Sequence, residues 1–191
     1  MSFVATLGGA ELVKLTVSGH PGSGTSTLVD LICQRRGWTS LNGGEVFREE
    51  AKRRGIDLES FSKMTVEEPQ IDKDLDAKLV NAMNDPKGPQ VVESRLSGWW
   101  AMHEGIGCVR LWLEVSVEER ARRVVKREGG SVDEAMLRII ERMNSDQARY
   151  SNLYEINLEM MTPYNLIIEA DDRLPDELAD LVEQALEDEW R

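Results

Sequence analysis

Residues 19–27 read Gly19-His20-Pro21-Gly22-Ser23-Gly24-Thr25-Ser26-Thr27, a spacing of glycines and hydroxyls suited to holding phosphate. Glycines at 19, 22 and 24 let successive backbone N–H groups converge on an anion without Cβ clashes. Ser26 falls where such loops place a hydroxyl on Mg2+. The usual pattern, G-x-x-x-x-G-K-[ST], has a lysine before that hydroxyl, and here Thr25 takes its place. Either other cations supply the missing charge, or the loop binds a nucleotide without transferring phosphate.

The other residues with chemical potential are arginines. Arg120, Arg123 and Arg127 are spaced i, i+3, i+7, and Arg138, Arg142, Asp146 and Arg149 are spaced i, i+4, i+8, i+11. Each set shares one helix face. A transferring phosphoryl group is a spread-out anion stabilised by positioning and positive charge, so such rows on a mobile hairpin suit that chemistry. The same spacing also suits two solvated faces, with intrahelical pairs such as Arg142–Asp146 worth at most about 0.5 kcal/mol each. Arg48 and Arg95 stand apart from both rows. Arg95 lies two residues past an apolar run ending at Glu93, where ligands of open α/β sheets bind. Both read as contacts to a second phosphate. His20 reads as a loop residue rather than a base, His103 as structural, and Trp99-Trp100 as core behind Arg95.

The elements that must position these groups alternate. Leu12–Ser18 is a mostly apolar, β-branched run entering the loop, and Thr25–Ile32 has helical spacing after it. Further strands are expected at Trp38–Asn42, Gln90–Glu93, Val109–Val115 and Leu166–Ala170. Helices are expected from Gly43 to about Arg54, after Asp57, from Pro69 to Asn84, and over the last residues from Leu178. Ser116 with Glu119, and Ser131 with Glu134, are capping pairs opening two more helices, the second reaching about Tyr150 with Met136, Ile139, Ile140 and Met143 facing the core. This alternation predicts an α/β fold: a three-layer α/β/α sandwich on a parallel five-stranded sheet. One domain is expected, with a core of residues 1–42, 88–115 and 151–191, an insertion at 43–87 for the second substrate, and a lid at about 116–150.

Composition bounds the partners. The chain has 191 residues, 41% hydrophobic and 30% charged, as expected of one soluble domain with a substantial core. Its 23 basic and 35 acidic residues give a net charge of −12, which argues against general nucleic-acid binding. Cys33 and Cys108 have no metal-ligand neighbours at short spacing and read as core residues in a reducing cytoplasm. Met1–Ala10 lacks Lys, Arg and a long apolar stretch, so no signal peptide is read there, and no window approaches a membrane span. A monomeric cytoplasmic protein without membrane partners is expected.

Taken in order, these segments resemble the archaeal-type cytidylate kinases, small P-loop nucleoside monophosphate kinases related to adenylate kinase. The resemblance spans roughly residues 12–186. It is carried by Thr16–Thr27, Leu41–Ala51, Glu93–Trp99, Arg120–Glu128, Arg142–Tyr150 and Met161–Ile168. It implies transfer of the ATP γ-phosphate to CMP, and to dCMP, with Mg2+. Gly19, His20, Pro21, Gly22, Ser23, Gly24, Thr25, Ser26 and Thr27 would hold ATP, with Ser26 at the metal. Arg48, Arg95, Arg142 and Asp146 would hold the monophosphate; Arg123, Arg127 and Arg149 would act on the transferring group. Glu45 replaces a more usual Asp, and Thr25 the lysine. The alternatives are a kinase for UMP or AMP, or a nucleotide-binding module without turnover.

Overall fold

The computed structural model describes residues 12–189. The first eleven residues of the expected core, the reading of Met1–Ala10, and the last two residues lie outside that range.

Five strands form one parallel sheet in the order β2-β3-β1-β4-β5. They are β1 (Leu15–Gly19), β2 (Ser40–Asn42), β3 (Val91–Glu93), β4 (Val109–Glu114) and β5 (Leu166–Glu169). β1 is buried throughout, as expected of a central strand covered on both faces. Helix α1 (Thr25–Arg36) and α8 (Pro175–Glu189) cover one face, with Leu28, Ile32, Val182 and Leu186 against Leu15, Val17 and Leu111. On the other face, α4 (Pro69–Asn84) and α5 (Ser97–His103) bring Leu79, Met83 and Ala101 against Val92.

The helical segments expected at 43–87 and 116–150 have apolar clusters of their own. In the first, α2 (Gly43–Arg54), α3 (Leu58–Glu67) and α4 enclose Ala51, Phe61, Ile71 and Leu75. Phe61 is fully buried there, worth roughly 1.5–3 kcal/mol. In the second, α6 (Val117–Glu128) and α7 (Val132–Tyr154) pack through Ala121, Ala135 and Ile139.

Local chemistry sets the helix starts. Side-chain oxygens of Asn42, Asp57, Ser116 and Ser131 accept from the backbone N–H of Glu45, Ser60, Glu119 and Glu134, so Ser116 and Ser131 cap their helices as expected, while the N–H of Ser116 donates to Asp171 rather than to Glu119. Two details differ from expectation. Helix α5 has only seven residues, too few for the apolar period to show among its neighbouring tryptophans. Helix α7 runs to Tyr154, stopping where Glu155 turns left-handed at φ 58°, and Ile140 is 40% exposed on it while Ile139 is buried.

Candidate active site

A cleft of about 990 Å³ runs along the carboxyl ends of β1, β2 and β3, the crevice where open parallel sheets bind ligands. The loop of residues 19–27 forms one wall. Gly22 and Gly24 both have φ +87°, a backbone that L side chains rarely adopt, and Gly24 caps α1 without a side-chain hydrogen bond. The first N–H groups of α1 are thus left for an anion.

Glu93, at the end of β3, gathers the hydroxyls of the loop. Thr25 Oγ1 donates to Glu93 Oε1 at 2.6 Å and Ser26 Oγ at 2.8 Å, while Asn42 Nδ2 donates to Oε2 at 2.6 Å. Strand register explains the meeting, because Asn42 of β2 and Val17 of β1 both lie opposite Glu93. The set suits Mg2+: an oxygen-only pair of one hydroxyl and one carboxylate, beside a phosphate cradle. Mg2+ is commonly held by one or two protein oxygens plus phosphate and water rather than by a protein cage. Accordingly, no group of three or more His, Cys, Asp or Glu side chains able to hold a metal occurs among the described residues.

Behind the loop, three guanidinium groups bind its outward carbonyls. Arg95 Nη1 donates to Gly19 O at 2.8 Å, Arg120 Nη1 to Pro21 O at 3.3 Å, and Arg123 Nη1 to Ser23 O at 2.8 Å. Each has a second anchor: Asp146 Oδ2 for Arg95 at 3.2 Å, Val115 O for Arg120 at 3.0 Å, and Glu119 Oε1 for Arg123 at 3.0 Å. Arg123 also donates to Ala170 O. His20 is buried edge-on to Trp112, with ring centroids 5.0 Å apart. Burial, then Arg120 and Arg95, lower its pKa to about 4. Its 3.5 Å approach to Glu159 is therefore a contact of a neutral ring at pH 7, not an ion pair. It supplies no charge in place of the lysine.

The far wall of the cleft comes from α2, α4 and α7. Arg149 of α7 binds Asp72 of α4 through both nitrogens, with Nε 2.6 Å from Oδ2, and lies 5.4 Å from the centroids of Phe47 and Tyr150. Tyr154 donates to Asp76 Oδ2 at 2.6 Å. Arg48 and Arg142 line the same cleft. The expected Arg142–Asp146 pair is replaced by Arg95–Asp146, since Asp146 turns towards the strand ends. Arg127, which lines both the cleft and the hollow outside the loop, has a side chain 70% exposed and pairs with its neighbour Glu128. A second hollow of about 790 Å³ lies outside the loop, between Gly24, Thr27, Arg122, Asp171 and Arg173.

The profile of the AAA domain family matches residues 18–141. The cytidylate kinase of Pyrococcus horikoshii is 37% identical over 177 residues, covering 93% of this chain and 90% of that protein. That of Halobacterium salinarum is 34% identical over 173 residues, covering 91% and 88%. The chain belongs to the cytidylate kinase family. It is a nucleoside monophosphate kinase with a P-loop fold. Solved structures share the fold at low identity. Shikimate kinase from Bacteroides thetaiotaomicron has a TM-score of 0.59 at 16% identity, covering 92% of this chain and 99% of that one. A gluconokinase from Sinorhizobium meliloti has a TM-score of 0.55 at 14% identity, covering 92% of each.

In this member of the cytidylate kinase family the cleft unites Arg48, Arg95, Arg142, Asp146 and Arg149 with the loop, and Arg127 reaches its edge. Arg123 sits instead on the outer side of the loop, its guanidinium committed to Ser23, Glu119 and Ala170. Sequence reading passed over Glu93, Asp72 and Asp76 as site residues, and named Arg120 in an arginine row without giving it a role. Glu93 carried one signal, a carboxylate ending a buried apolar strand. Arg120 carried another, sharing a helix-face spacing with Arg123 and Arg127. No helix among the described residues is long and apolar enough to cross a membrane.

Proposed function

We propose that the protein transfers the γ-phosphate of ATP to CMP, and to dCMP, yielding ADP and CDP or dCDP. The observation that carries this reading is the single cleft joining a phosphate loop to a wall of arginines and carboxylates on α2, α4 and α7. Its two ends suit two nucleotides meeting phosphate to phosphate. The relatives named cytidylate kinase support CMP as the acceptor.

In the proposed reaction an oxygen of the CMP phosphate attacks the γ-phosphorus while its bond to the β-bridging oxygen breaks, leaving the electron pair on ADP. The acceptor is already an anion, so alignment and charge neutralisation suffice without a general base. Residues 19–27 hold the triphosphate, with Ser26 and Glu93 at Mg2+, which neutralises charge on the β- and γ-phosphates when bound. Arg48 and Arg95 grip the acceptor phosphate, and Arg142 with Asp146 holds the rest of CMP. Arg127 and Arg149 face the transferring group, and Arg123 serves from behind the loop. The separate apolar clusters of 43–87 and 116–150 support their roles as acceptor subdomain and lid. The hollow outside the loop suits the base of the donor. A coupled assay of ADP release with MgATP and CMP, dCMP, UMP or AMP tests the reading. ATP binding without turnover on any acceptor would favour a binding module.

A further inference from the structure

We infer that the charge a P-loop lysine would supply is delivered from behind the loop, by Arg95, Arg120 and Arg123 acting through the carbonyls of Gly19, Pro21 and Ser23. The inference rests on the nucleotide reading above. Arg120 and Arg123 belong to the 116–150 segment expected as a lid, yet they act from fixed places on the loop rather than by swinging into the cleft.

The peptide bond is planar and trans, so a carbonyl and the N–H of the next residue point in opposite directions. With the carbonyls of residues 19, 21 and 23 drawn outward by guanidinium groups at 2.8, 3.3 and 2.8 Å, the N–H groups of His20, Gly22 and Gly24 are turned towards the cradle. Every second peptide of the loop is fixed in this way. The peptide between also has an inward anchor, since His20 O accepts from Ser23 N at 3.1 Å and from Ser23 Oγ at 2.8 Å. Hydrogen bonds from a cation to a carbonyl are stronger than neutral ones and polarise the peptide, so each N–H facing the phosphates becomes a better donor.

The arginines are built to stay. Arg120 is 3% exposed, with Nε on Val115 O and Nη1 also against Met143 Sδ. Arg123 is fixed by Glu119 and Ala170, and Arg95 by Asp146. Two of them make themselves felt inside the loop, where Arg120 and Arg95 join burial in keeping His20 neutral. Nothing in their hydrogen bonding requires movement to reach the nucleotide. Arg120 and Arg123 are positioning residues, Arg95 joins them from the cleft wall where it also faces the acceptor phosphate, and Thr25 brings no charge of its own, its hydroxyl being turned to Glu93.

The test is a double-mutant cycle on the full chain, reading the dissociation constants of MgATP and of CMP by calorimetry. The proteins are wild type, Arg123→Gln, Thr25→Lys, the double variant and Arg123→Lys. Arg123→Gln is expected to weaken MgATP at least tenfold while leaving CMP within about twofold. Thr25→Lys is expected to improve MgATP binding at least fivefold more in the Arg123→Gln background than in wild type. Arg123→Lys, which keeps the charge and stays close to the fold if Gln does not, is expected to stay within about threefold of wild type. Equal effects of Thr25→Lys in both backgrounds, or equal losses with Gln and Lys at 123, overturn the inference. A wild type that binds MgATP, with no coupling in the cycle, overturns it alone; a wild type that binds no MgATP overturns the kinase reading as well.

Discussion

Arg149 of α7 and Asp72 of α4 form a bidentate ion pair that ties the two helices together across the cleft. Asp72 is 1% exposed, so its charge depends on this partner. Planar two-point pairing is a geometry that arginine provides and lysine does not. The pair fixes the guanidinium in the wall that faces the loop, beside Phe47 and Tyr150.

Removing one partner therefore has two consequences that can be separated. Arg149→Ala is expected to cost about 3 kcal/mol of stability by stranding Asp72, and to lower kcat about a hundredfold or more. Arg149→Met combined with Asp72→Leu should recover most of the stability without recovering kcat. Denaturant unfolding and steady-state rates read the two effects. An unchanged kcat in Arg149→Ala would return the pair to a purely structural role.

Glu93 makes a sharper prediction about the metal. Glu93→Gln keeps the shape and the hydrogen-bond acceptor but removes the charge that faces Ser26. The Mg2+ concentration needed for half-maximal rate should rise roughly 10- to 100-fold, as found when the shell around a metal is altered. A Mg2+ titration identical to wild type would remove Glu93 from the metal site.

Arg48 lines the cleft from α2, and the proposed reaction gives it the acceptor phosphate. Arg48→Ala should raise the KM for CMP about tenfold or more while the KM for ATP stays within twofold. An effect confined to ATP would contradict the placement.

Two groups give stability opposite dependences on pH. Burial and the neighbouring arginines lower His20 to about 4 from 6.5, so its contribution is present above pH 6.5 and is lost as pH falls towards 4. Burial raises Asp76 to about 6 from 3.8, against the Tyr154 hydroxyl, so its contribution is present below about pH 4 and is lost as pH rises through 6. Asp76→Asn should thus stabilise the protein by roughly 2 kcal/mol at pH 7.5 and by little at pH 4. Unfolding at both pH values measures this, and an equal effect at each would contradict it. A His20 ring titrating near 6.5 by NMR would likewise show that burial and the arginines together do not hold it neutral.

Much of this fold was legible because its signals are local. Buried strands show as apolar runs, and Ser116 and Ser131 name their helix starts through Glu119 and Glu134. The loop stood out as a phosphate-binding candidate through its glycine and hydroxyl spacing between an apolar run and a helical pattern. What stayed hidden depends on register and on contacts far apart in sequence. That Glu93 meets Thr25 follows from strand order, which no residue pattern encodes. That Arg123 turns outward to Ser23 and Ala170, while Arg142 faces the cleft, depends on how α6 and α7 pack against the sheet. Spacing placed these arginines on common faces but not what those faces meet.

The most direct measurement is the steady-state rate of ADP formation with MgATP and each of CMP, dCMP, UMP and AMP. CMP and dCMP should be phosphorylated with kcat/KM at least about a hundredfold above UMP and AMP, the scale a site reaches by hydrogen-bonding a distinctive substrate group. Turnover favouring UMP or AMP, or none with any acceptor despite bound ATP, would contradict it.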